Sequence, residues 1–178
     1  IKKSEDGKTP KEQLSKIREA LIKLLKKQRA HYENKLQRSL KNCGIHIFNY
    51  TDLNYLQKEW IRDYFQSAIF PILTPLAVDP VHPFPFISNL SLNIAAVIID
   101  PDSGNQQFAR VKVPQKTLDR FISIPIDLCK ENLEYRHILI AIEQVVAFNL
   151  KFLFPGMNVQ EHYFFRVTRD ADLELRDL

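Results

Sequence analysis

The chain has 178 residues and is 45% hydrophobic, with 12 Phe and 6 Tyr, enough apolar matter for one full domain plus a smaller partial one and too much for a disordered chain. Only 4 Gly are present, with neither GxGxxG nor GxxxxGKS/T among them, which argues against a Gly-rich phosphate-cradling loop; no apolar run nears the ~20 residues of a membrane-spanning helix, and no signal peptide opens the chain. The net charge of +4 is unevenly spread, with 13 Lys/Arg against 5 Asp/Glu in residues 1–42 and 12 against 16 in residues 43–178, so the basic character belongs to one segment.

The first predicted element starts at Thr9-Pro10-Lys11-Glu12. Thr9 suits a cap, Pro10 the first helical position and Glu12 the return bond of a capping box. Leu14, Ile17, Leu21, Leu24, Leu25, Tyr32, Leu36 and Leu40 follow at helical period, and Gly44 supplies a left-handed stop. A helix of roughly thirty residues is about 45 Å long. After an extended piece at residues 45–48, a second helix is expected from Thr51 or Asp52, with Leu53, Leu56, Trp60, Ile61, Tyr64, Phe65 and Ala68 on one face. Two helices with a short connection make a partial, antiparallel bundle.

Pro71, Pro75, Pro80, Pro83 and Pro85 then rule out regular helix and mark an extended boundary near residue 70. Residues 1–70 are thus expected to form a partial helical domain and residues 71–178 an α+β domain with a mainly antiparallel sheet. Its strands are predicted at 92–99 and 108–113, joined by the turn cluster Asp100-Pro101-Asp102-Ser103-Gly104-Asn105. A helical turn near Leu118–Phe121, an amphipathic helix over Tyr135–Phe154 stopped by Pro155-Gly156, and a last strand over His162–Thr168 complete the reading. Cys43 and Cys129 have no CxxC spacing and read as reduced thiols of a cytosolic protein. Met157 is the only methionine, the chain opens IKKSEDGKTP and closes DLELRDL within a charged segment, so both ends are expected to be cuts.

Five blocks in order carry a resemblance: IFPILTPLAVDPVHPFPFISNLSLNIA (69–95), FARVKVP (108–114), DRFISIP (119–125), NLKFLFPGM (149–157) and FFRVTRDADLEL (164–175). Together they are similar to the middle, or head, domain of the polyphosphate kinases that work through a phosphohistidine. The DGKTP helix and its successor resemble the later helices of that family's N-terminal domain. The resemblance implies an intact enzyme that moves the terminal phosphate of ATP onto polyphosphate, uses Mg2+ and a phosphorylated histidine, and is oligomeric. It also implies that the phosphohistidine, the metal-contacting arginines and most phosphate-tunnel residues lie in two C-terminal domains, and that an adenine-contacting asparagine lies upstream. No catalytic, cofactor-binding or metal residue is therefore carried onto this chain. The implied role is that of a non-catalytic piece that scaffolds the enzyme, helps subunits assemble and partners its own catalytic domains. It would be cytoplasmic or peripheral to the inner face of a membrane.

Residue chemistry leaves few candidates. His82, between Asp79 and the proline-rich aromatics, lacks an evident group to orient its ring, so a loop histidine bonded to backbone is the plainer reading. His31, His46, His137 and His162 read as surface or packing residues, and no HxxxH or HExxH points to a metal. Arginines suit phosphate. Arg110 and Lys112, two apart on a strand, share a face toward an anion or solvent, whereas Arg166 and Arg169 fall on opposite faces. Salt bridges to Asp170 and Asp172 are the plainer role for Arg169. The basic first helix reads foremost as a solvated bundle face, next as an attractor of polyanions. A free-standing polyanion or nucleic-acid module is the alternative function, although no aromatic platforms interleave the Lys run, and no specific nucleic acid is expected.

Overall fold

A capping box at Thr9 starts the long helix of the computed structural model, which describes residues 6–78, 85–115, 117–129 and 135–169. Thr9 Oγ1 accepts from the Glu12 amide while the Glu12 carboxylate accepts from Thr9 N at 2.8 Å, the reciprocal bonding that satisfies two orphan donors. Helix α1 (Pro10–His31) runs through a π turn (Tyr32–Leu36) into α2 (Gln37–Asn42). Gly44, at φ 76°, then stops it, a backbone state that costs glycine nothing. No residue of α1 or α2 is buried. Leu14, Ile17 and Leu24 remain 68, 61 and 62% exposed.

The described residues divide into two compact units, one of residues 6–46 with 135 and 136, the other of residues 47–129 and 137–169. In the first, Arg136 N donates to Gly44 O at 2.8 Å and the rings of His46 and Tyr135 lie 3.9 Å apart. Strand β1 covers Ile45–Phe48.

The expected pair of long antiparallel helices is one long helix and one short one. Helix α3 (Tyr55–Tyr64), capped reciprocally by Asn54 and Gln57, continues into a π turn (Phe65–Ile69). Its apolar residues Ile61, Phe65 and Ile69 are wholly buried, and α3 with this turn touches strand β5 (Phe121–Ile124) and helix α4 (Ile142–Phe148) in the second unit. Removing three such side chains from water stabilises that unit by about 1.5–3 kcal/mol each. The apolar face that read as a bundle seam is thus part of an α+β core.

That core lies between helices and two sheets. The larger, of order β2-β4-β3-β7, is antiparallel throughout: β2 (Pro75–Val78), β3 (Leu92–Ile99), β4 (Gln106–Lys112) and β7 (Asn158–Arg166). The β3–β4 hairpin follows the sequence pattern, with the Asp100 carboxylate accepting from Ser103 Oγ at 2.7 Å and from Asp102 N at 3.0 Å. Those bonds, the Ser103 hydroxyl first, hold the Asp100 carboxyl below its ordinary pKa. The smaller sheet has order β1-β6-β5, where β6 is His137–Ala141.

Three further expectations change. Residues 135–154 are not one helix: β6 leads into α4, and α5 (Leu150–Leu153) follows after Asn149. Ile138 and Ile140 alternate inward on β6 and pair with Ile124 and Ile122 of β5, a cross-strand packing that overrides the helical period. Phe121 likewise opens β5 instead of closing a helical turn. Strand β2 is new; Pro75 is its first residue, where a missing N–H costs no ladder bond.

Candidate functional site

The alternation of β4 separates a core face from a polar one. Ala109 and Val111 are fully buried opposite Ala96 and Ile94 of β3. Arg110 and Lys112 turn the other way, aligned with Ala95 and Asn93 on β3, and Arg110 with Leu76 on β2. Both cations line a cleft of about 780 Å3 together with Ser88, Asn89 and Ser91. The expected sharing of one strand face by Arg110 and Lys112 therefore becomes a sharing of one cavity wall.

Their environments differ. Lys112 is exposed, its Nζ 3.4 Å from Ser88 Oγ. Arg110 is only 7% exposed, and burial lowers its pKa, although a guanidinium remains charged. Its Nε donates to Asn93 Oδ1 at 2.8 Å, and Asn93, itself 0% exposed, donates through Nδ2 to the carbonyl and Oγ of Ser91 at 2.9 and 3.0 Å. The amide is thus used on both sides, and one nitrogen of the guanidinium is fixed. Among the described residues no acid pairs with Arg110. Sequence reasoning missed Asn93. Its signal was a polar side chain inside the apolar run LNIAAVII, where strands disfavour Asn unless it has a partner.

The loop before β3 supplies a further part of the cleft's polar wall. Ser91 Oγ donates to Ser88 O at 2.7 Å, and Leu90 turns at φ 58° with its N–H on Val167 O at 2.9 Å. Arg169 ties this loop down: its N–H donates to Asn89 Oδ1 at 2.9 Å and its carbonyl accepts from Asn89 Nδ2 at 3.2 Å. The Arg169 guanidinium donates to the Ile87 carbonyl and lies 4.4 Å over the Phe86 ring. Arg166, exposed at the end of β7, lies outside the cleft lining. Asp170 and Asp172, the expected ion-pair partners of Arg169, lie outside the described residues, as does His82. His162 packs between the Phe148 and Phe164 rings at 6.4 and 5.8 Å.

The sequence matches two family models in succession, the polyphosphate kinase N-terminal domain over residues 1–48 and the polyphosphate kinase middle domain over residues 56–178. The chain belongs to the polyphosphate kinase family. It is 61% identical over 175 residues to a polyphosphate kinase of Parasynechococcus marenigrum, and 60% over 177 residues to one of Prochlorococcus marinus. Those alignments cover 98 and 99% of this chain but 25% of each relative. Among solved structures, the polyphosphate kinase of Porphyromonas gingivalis superposes with a TM-score of 0.79 at 25% identity, over 93% of this chain and 25% of that one. This polyphosphate kinase segment therefore spans about a quarter of the length of its relatives. No described helix is long and apolar enough to cross a membrane. The described residues hold no group of three His, Cys, Asp or Glu side chains fit for a metal, and none is given a metal role.

Proposed function

We propose that this chain is the scaffolding part of an enzyme that transfers the terminal phosphate of ATP to polyphosphate through a phosphohistidine, and that alone it carries out no phosphotransfer. The observation behind this reading is the succession of N-terminal and middle family domains in a chain spanning a quarter of its relatives. ATP and Mg2+ belong, on this reading, to the whole enzyme, as does polyphosphate; the chain's own partners are the catalytic domains and a second subunit. A cytoplasmic setting, or one peripheral to a membrane's inner face, goes with it. Incubation of the purified chain with γ-labelled ATP and Mg2+ tests it: no acid-labile label and no polymer should form. Labelled chain that survives removal of contaminating kinase overturns it.

The same reading assigns the chain a part in subunit assembly. Its support is the aromatic side chains left exposed in the second unit, among them Phe86 at 77%, Tyr163 at 62% and Phe164 at 45%. Where such side chains gather into one contiguous patch, they mark a surface that pairs.

A further inference from the structure

We propose that the cleft beside β4 is a phosphate site, with Arg110 as its buried anchor and Lys112 as its second cation, that takes a linear inorganic oligophosphate. Burial of a guanidinium without a counter-ion is costly, and Arg110 is nine-tenths buried with only Asn93 as a partner among the described residues. Asn93 occupies Nε alone. Both terminal nitrogens are left to the cleft, in the fork geometry that meets two oxygens of one anion.

The lining decides the sign of the ligand. Among the described residues it contains two cations, Arg110 and Lys112, and no acidic residue. A concave wall of one charge concentrates the opposite ion. The donor set then favours phosphate over carboxylate. A carboxylate turns both of its oxygens to the Arg110 fork and has none beyond them, whereas a phosphate has further oxygens for Lys112 Nζ and the Ser88 hydroxyl beside it. A cavity of about 780 Å3 holds far more than one such group, which extends the ligand to several linked phosphates. This inference rests on burial, charge and shape, and stands whether or not the chain takes part in phosphotransfer.

Calorimetric titration of the intact chain with sodium tripolyphosphate tests it, with orthophosphate and glutarate as comparison ligands. Tripolyphosphate should bind more tightly than either. Arg110→Gln and Lys112→Gln should each weaken it at least tenfold, and a Lys23→Gln/Lys27→Gln variant of the basic helix should leave it unchanged. Lys112 is exposed, so its variant keeps the wild-type melt and decides the matter even if Arg110→Gln fails to fold. Wild-type affinity in Lys112→Gln overturns the proposal. So does a loss in the helix variant as large as that in Lys112→Gln, which would assign binding to α1. Equal affinity for glutarate would make this a carboxylate site and overturn it as well.

Discussion

Asn93 Oδ1 takes a 2.8 Å hydrogen bond from Arg110 Nε across the β3–β4 pair, between residues 17 apart in the chain. Two register positions separate them along the ladder, since Asn93 lies opposite Lys112 and Arg110 opposite Ala95. The pair converts a strand that should simply alternate core and solvent into one that holds a cation nearly out of water.

Asn93→Ala should destabilise the fold by about 1–3 kcal/mol, because it strips the acceptor from a buried Arg110 and the donor from the Ser91 carbonyl. For a chain of this size the melting temperature should fall by roughly 2–4 °C per kcal/mol. Differential scanning calorimetry measures it, and an unchanged melt would mean that water replaces the amide at no cost.

A second pair sits where β5 begins and α4 starts. Arg120 Nη2 donates to Glu143 Oε1 at 2.9 Å, while the other oxygen of Glu143 is buried without a partner among the described residues. Arg120→Ala should therefore cost about 1–3 kcal/mol, more than a half-exposed ion pair ordinarily contributes. Adding Glu143→Gln should restore part of the loss, by removing the stranded charge. Denaturant unfolding of both variants checks this; equal stability of Arg120→Ala and wild type would reduce the pair to a surface contact.

The capping box makes a pH prediction. Bonds from the Thr9 backbone, first, and from the Thr9 hydroxyl hold the Glu12 carboxyl below its ordinary pKa. A depressed folded pKa stabilises the helix start above the unfolded value, and that stabilisation is lost as pH falls through the folded value. Carbon-detected NMR titration should find Glu12 titrating below the ordinary glutamate value. Thr9→Ala should move it back up. A Glu12 midpoint at the ordinary value would show that the cap is open in solution.

Assembly has its own test. Sedimentation over a tenfold dilution should show a monomer–dimer equilibrium, and Phe86→Ser or Phe164→Ser should shift it toward monomer without altering the melt. Monomer at every concentration rejects an assembly role for this chain. Phe154 serves as the contrast: it is 7% exposed, so Phe154→Ser should lower the melt itself, with a penalty in the range of about 3–5 kcal/mol seen for large-to-small core changes.

Local chemistry alone determined several features. Thr9, Pro10 and Glu12 mark a helix start because each satisfies or avoids an orphan donor within one turn, and Gly44 marks its end by its backbone freedom. The hairpin from Leu92 to Lys112 was legible because its turn residues bond one another within a few positions. Arg110 and Lys112 shared a face by strand period alone. Other features depend on partners distant in the chain, and only the tertiary structure decided them. Ile138 and Ile140 fit a helix or a strand equally well by composition, until Ile124 and Ile122 of β5 lie opposite them. The apolar face of Ile61 and Phe65 fits a bundle or a core, and contacts with β5 and α4 choose the core. The depth of Arg110 belongs to this second group: a two-residue period specifies which way its side chain turns, but burial depends on β2, β3 and Asn93 closing around it.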